Sequence, residues 1–326
     1  MTQALRFEEF LGEQLAVIDE VLAISGMALS DRPLFASLEF VKACIVDAKG
    51  VSLEKPLTQP WFARLHGMVE RWYRCRYGER GLRAVDWTGL GVVLIFSTAF
   101  RVKVPLTLLE PADRDDRAWV CFAASIHDGE KPLTWIVDPP DLAQMTPDEI
   151  GDLEATVCGI AVTTRLIAVD LMSAERPTPD VAAMLGGIRS QLDSAVEHLC
   201  SEQATNRGLA IWELHLATEM ALKALLFERT GEAKRTHDLI SLHAAACAAG
   251  MHQLPPDVLG LLLSAGEAIR YRYGENGEPC VRWAFEHYRN TLRAVACVVA
   301  AHRRNLVFRD SRFLIQVPPW KTRVPA

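Results

Sequence analysis

The chain has 326 residues, enough for two domains of ordinary size rather than one extended core. Half of its residues are apolar and 23% are charged, which excludes a disordered chain, and a net charge of -6 speaks against a protein that coats nucleic acid by bulk electrostatics. Eight cysteines without a C-x-x-C pair signal neither a zinc knuckle nor a disulfide framework, and neither a metal nor a cofactor is expected.

The opening MTQALRFEEFLGEQ has acids where a signal peptide would carry bases, and the near-apolar stretch at 89–96 is too short to span a bilayer, so a cytoplasmic location is expected. Apolar residues then recur at helical spacing in three sets: Leu11, Leu15, Ile18, Leu22; Leu34, Leu38, Val41, Ile45; and Trp61, Leu65, Met68, Trp72. From about residue 90 the period falls to two, most clearly where Phe100, Val102 and Val104 alternate with Arg101 and Lys103. RAWVCFAAS and PLTWIVD, with a turn at Asp128-Gly129 between them, read as a hairpin. Thr146-Pro147-Asp148-Glu149 forms a capping box with proline at the first helical position, and opens one long helix through Leu171.

The polar SAERPTPD at 173–180 is the best linker candidate. It divides an α+β domain of unknown role (1–175), without phosphate loop or catalytic motif, from a helical domain (181–304), and a strand-like tail (305–326) follows. The expected class is α+β, mainly α: N-terminal helices with a small antiparallel sheet, then an antiparallel helical bundle. The tetrapeptide Arg-Tyr-Gly-Glu occurs twice, at 76–79 and 272–275, each time after an amphipathic helix.

Residues 206–229 are apolar around most of a helix, except for the stripe His215, Glu219, Lys223 at i, i+4, i+8. That stripe reads as a solvated face in which Glu219 and Lys223 stand in the favourable order for an ion pair. Thr236 is placed to cap the next helix, with His237 and Asp238 in its first turn, where a carboxylate is favoured by the helix dipole. Pro255-Pro256-Asp257 opens a helix carrying Val258, Leu262, Ala265 and Ile269 on one face. The last helix, from Pro279 to about Arg304, has a heptad-like seam of Val281, Phe285, Tyr288, Leu292, Val295 and Val299.

A helix ending in A-x-E-M-A-L-K-A-L-L, then T-H-D-L, then a helix closing on A-I-R-Y and a further long helix, resembles the HEPN domain family over residues 186–304. Glu219, Lys223, His237, Asp238, Leu239, Arg270 and Tyr271 are the positions that match. The resemblance implies binding of RNA or a nucleotide, as a homodimer or beside a nucleotidyltransferase or other subunit, in a bacterial defence or toxin-antitoxin setting. It also implies the binding residues Arg270, Tyr271, His237 and Lys223, to which the basic residues Arg272 and Arg289 are added as phosphate contacts.

Catalytic members of the family are metal-independent ribonucleases that use Arg, four to six further residues, and His. The natural counterpart of that Arg is Arg270, but no His follows it, a departure that argues against cleavage. Arg282 and His287 have the spacing, so that the alternative is a metal-independent endoribonuclease in which His287 would move the 2′-hydroxyl proton while Arg282 stabilises the pentacovalent phosphate, two copies converging at a dimer interface. Five residues along a helix separate two side chains by roughly 140°, however, so the pair meets only if the helix starts late or is distorted. Arg282, Glu286, Arg289 and Arg293 share one face, as a basic stripe for phosphates or as salt bridges around Glu286. A purely structural subunit is the third reading.

Overall fold

The computed structural model describes residues 7–46, 53, 55–81, 87–114, 117–232, 234–304 and 306–316. Among these, helices dominate and the strands are few and short, an α+β class that is mainly α. Two compact units result: one of residues 1–86, 109–119 and 314–326, the other of 87–108 and 120–313.

In the first unit, α1 (Phe7–Ile24), α2 (Arg32–Cys44) and α3 (Pro60–Gly81) bury Leu11, Leu15, Phe40, Phe62, Val69 and Tyr73 against one another. The periodicity located all three helices. Its choice of face holds for α1, but on α3 the fully buried positions are Phe62, Val69 and Tyr73, one residue beyond Trp61, Met68 and Trp72. The larger indole rings of Trp61 and Trp72 stay partly exposed at the rim of the core, although Trp61 Nε1 is itself buried.

The second unit begins with β1 (Thr88–Ile95) and β2 (Thr98–Pro105), an antiparallel hairpin in which Thr88 faces Pro105. Its two turn residues, Phe96 and Ser97, both take positive φ (50° and 61°), the handedness that a two-residue hairpin turn demands. The hairpin lies on α4 (Pro147–Ser173) so closely that a Cβ on Gly89 would sit 2.4 Å from Thr164 Cγ2. α4 opens with the expected capping box of Thr146 and Glu149. It is the one described helix long and apolar enough to cross a membrane, longer than the stretch singled out at 89–96, and half of its most apolar window is buried.

Strands β3 (Leu108–Pro111), β4 (Arg117–Cys121) and β5 (Arg312–Gln316) form a sheet in the order β3-β4-β5. The tail therefore contributes one strand. The hairpin expected from RAWVCFAAS and PLTWIVD does not form: Pro132–Trp135 is a short 3-10 helix. Tertiary contacts explain it. Arg165 of α4, fully buried, grips Glu130 with both terminal nitrogens, and its guanidinium also donates to the carbonyls of Ser125 and Pro105 at 2.8 Å. A buried arginine with all three nitrogens hydrogen-bonded outweighs local strand propensity.

Next come α5 (Pro179–Leu199), α6 (Asn206–Thr230), α7 (Leu239–Ala248), the single turn α8 (Pro256–Leu259), α9 (Ala265–Arg272) and α10 (Val281–Ala300). α6 is the central helix, buried on most sides, and the short α5–α6 connection makes those two antiparallel. The seam of α10 is buried as expected at Phe285, Tyr288, Leu292, Val295 and Val299. Between α8 and α9 the expected single helix is broken, because Ser264 and Glu267 form a second capping box that starts a new one. The 173–180 segment does not separate these units: α4 shares a core with α5, α6 and α10.

Candidate nucleic-acid interface

The polar stripe of α6 is not a solvated face. His215 is 2% exposed and Glu219 6%, because the segment 234–238 folds across them. Glu219 accepts from Lys223 Nζ at 2.8 Å, the predicted pair, and lies 3.0 Å from His237 Nδ1. His215 Nε2 is 3.1 Å from the His237 carbonyl; a carbonyl only accepts, so Nε2 carries the proton and Nδ1, which has no partner among the described residues, is a bare lone pair. Burial holds the His215 pKa below its ordinary value. The following helix begins two residues later than expected, at Leu239. Asp238, not Thr236, is its cap, accepting from the Ser241 amide, while Thr236 Oγ1 accepts from the Asp238 amide. Lys223 and His237 are thus both tied to Glu219, although the His237 side chain keeps 67% of its surface exposed.

His287 is also buried. α10 runs regularly from Val281, capped by Cys280, so Arg282 projects to solvent while His287 faces inward at 7% exposure. Neither the late start nor the distortion that would bring the two together is present, and within one chain they do not converge. His287 stacks on Trp283 (5.5 Å between centroids, 7° between planes), as His215 stacks on Trp212 (5.8 Å, 8°). Burial first, and then the proximity of His215, push the His287 pKa down to about 4, so the ring is neutral at physiological pH.

The arginines at the end of α9 behave differently. A Cβ on Gly208 would come 2.2 Å from the Tyr271 carbonyl, so glycine at that point lets α9 touch the backbone of α6. This contact sets the corner. The Arg272 guanidinium lies over the Trp212 ring at 5.1 Å and over Tyr273 at 5.6 Å, and the Tyr271 ring is 5.1 Å from Trp283 at the start of α10. Arg270, Arg272, Tyr273 and Arg282 are exposed, and among the described residues neither Arg270 nor Arg282 is held in an ion pair. Two carboxylates feel these arginines: Glu267, which Arg270 influences, and the half-buried Glu213, which Arg272 influences.

Arg289 stands apart from this corner. It lies 3.4 Å from Glu286, rests over Phe285, and with Arg293 borders an open groove of about 430 Å³ beside Thr156, Gly159 and Thr163 of α4. Arg293 is bound to Asp257 at 2.8 Å. The stripe on α10 is therefore largely salt-bridged rather than a continuous row of free cations.

Residues 191–299 match the family model of the HEPN domain. The C-terminal part of this chain carries a HEPN domain. The match covers about a third of the sequence and runs from α5 to the end of α10. It brings a nucleotide- or RNA-related function at the level of the family. Searches of curated proteins and of solved structures each gave no match.

Within the HEPN domain the aromatic supports Trp212, Trp283 and Tyr273 escaped the sequence reading. A signal was present: a Trp three residues before His215 and another four before His287 each put an indole on the same helical face as the histidine. Among the described residues, no group of three His, Cys, Asp or Glu side chains is placed to hold a metal ion.

Proposed function

We propose that the HEPN domain binds RNA or a nucleotide at the corner formed by Arg270, Tyr271, Arg272 and Arg282, with Tyr273 as the stacking surface and Trp212 as the support beneath Arg272. The carrying observation is the Arg272 guanidinium lying over two aromatic rings, in a stretch of chain whose Arg270 and Arg282 are held in no ion pair among the described residues. Guanidinium groups supported in this way present their edges to phosphate, and exposed rings offer sequence-tolerant stacking to bases. Lys223, His237 and Arg289 are left to supporting roles, because each is already engaged by a carboxylate. The chain works as a homodimer or with a second subunit in a bacterial defence or toxin-antitoxin system; this part of the proposal rests on the family.

Binding is favoured over cleavage by the separation of Arg282 from His287. A single experiment addresses both: fluorescein-labelled single-stranded RNA and mononucleotides are titrated with the protein in EDTA, and the RNA is then run on a denaturing gel. Saturable binding with intact RNA is expected, weakened about tenfold in Arg272→Ala. Intact RNA with no binding to either probe overturns the proposal. Metal-independent cutting that His287→Ala abolishes, without loss of fold, replaces it with the ribonuclease reading.

A further inference from the structure

The Arg-Tyr-Gly-Glu repeat has a structural counterpart. At the end of α3 the Arg76 guanidinium lies over the Trp72 ring at 5.2 Å and 5.7 Å from the centre of the Tyr77 ring, whose hydroxyl accepts from Arg76 Nε at 3.2 Å. At the end of α9 the corresponding distances from Arg272 to Trp212 and Tyr273 are 5.1 and 5.6 Å. The glycine that follows takes φ of +74° in both places, so the chain turns away from each clamp at the same step. Each also has one carboxylate within its electrostatic reach: Asp19, to which Tyr77 donates its hydroxyl proton, and Glu213.

The two tryptophans reach their arginines by different routes. Trp72 is four residues before Arg76 on the same helix, whereas Trp212 belongs to a different helix from Arg272. Helical spacing brings the first together and tertiary packing the second. The surroundings of the first clamp are basic. α3 carries five arginines against two glutamates, and Arg71, Arg74 and Arg76 are exposed. Trp72 and Arg71 also line an open groove of about 290 Å³ shared with Glu8, Gly12 and Cys75.

We infer that the Trp72–Arg76–Tyr77 clamp, with Arg71 and the adjoining groove, is a second binding site for single-stranded RNA, located in the first unit. Arg76 and Arg71 hold phosphate, and the Tyr77 ring, 37% exposed, offers a surface to a base. The inference rests on the reading of the Arg272 corner as an RNA site, since likeness to that corner supplies the chemistry.

The test counts short single-stranded RNA molecules bound per full-length chain, by native mass spectrometry and calorimetry, in wild type, Arg76→Ala, Arg272→Ala and the double variant. Two hexanucleotides per chain are expected, one in each single variant and none in the double. Arg76→Lys, which keeps the charge but loses the planar stack, should lose at least half of the effect, and thermal melting of each variant confirms folding. One RNA per chain, unchanged in Arg76→Ala and lost in Arg272→Ala, overturns the second site and leaves the HEPN reading intact. One RNA lost only in Arg76→Ala supports the site in the first unit and overturns the Arg272 corner. A wild-type chain that binds no RNA overturns both.

Discussion

Two regions of the HEPN domain lie a few residues apart on α6 and use the same kinds of side chain to opposite ends. Along His215, Glu219 and Lys223, charge and imidazole are withdrawn from water and matched internally, so each donor or acceptor that the backbone or a neighbour can satisfy is satisfied. At Trp212 an exposed arginine is instead laid on the face of a partly buried ring. The difference shows that matching residue types to a family locates a site only to within a turn or two of helix. Burial then decides which polar groups hold the fold and which remain available to a ligand.

The two regions should respond differently to change. The largest effect is expected where they meet, at Gly208. Placing a Cβ 2.2 Å from the Tyr271 carbonyl in Gly208→Ala forces α9 away from α6, which should cost about 3 kcal/mol and also weaken RNA binding. Chemical denaturation together with RNA titration checks this. An alanine variant as stable as wild type would mean that the corner is not built on this contact.

Acidification should strike the buried region next. The folded-state pKa of His287, about 4, lies below its unfolded value near 6.5, so between these limits the unfolded chain binds a proton that the folded one does not. Stability is therefore complete above pH 6.5 and falls as the pH is lowered towards 4, by about 1.4 kcal/mol per pH unit at most. His215, whose pKa burial also lowers, acts in the same direction. Melting temperatures at pH 7 and pH 5 should differ clearly in wild type and less in His287→Leu. An equal difference in both would place the acid sensitivity elsewhere.

Much of this architecture was legible and some of the site was not, for identifiable reasons. The Thr146–Glu149 capping box, the limits of α6, the Glu219–Lys223 pair and the alternation of β2 are local patterns, and each appears as read. The break before α9 was also local, written in Ser264 and Glu267, but the apolar spacing on either side of it suggested continuity. Non-local facts were out of reach. Arg165 reaching back to Glu130 and Pro105 reshaped 122–135, and the 234–238 segment closing over α6 buried a stripe whose charges suggested exposure. The orientation of His287 needed only the helical period, which already set it roughly 140° from Arg282.

At the exposed corner, Arg270→Ala and Arg272→Ala should each weaken RNA binding about tenfold, or about 1.4 kcal/mol, while changing the unfolding free energy by no more than about 0.5 kcal/mol. Arg272 is the more informative of the two because its guanidinium is oriented by Trp212 and Tyr273. Loss of binding in step with loss of stability would make the corner structural and erase its contrast with the buried stripe.

The smallest expected effect concerns Lys223, which lies on the buried stripe but keeps a side chain 19% exposed. Its bond to Glu219 is an i, i+4 pair near water, worth about 0.5 kcal/mol. In Lys223→Met the carboxylate keeps His237 as a partner, and the methionine can cover the apolar surface along which the lysine stem lay. Stability should fall by about that amount, and RNA binding should be unchanged, because the lysine is committed to Glu219. A clear loss of binding at unchanged stability would extend the ligand surface from Arg272 along α6, a span of about 16 Å between Trp212 and Lys223 at 1.5 Å per residue. The stripe would then be part of the interface, with Glu219 holding the lysine in position rather than withdrawing it.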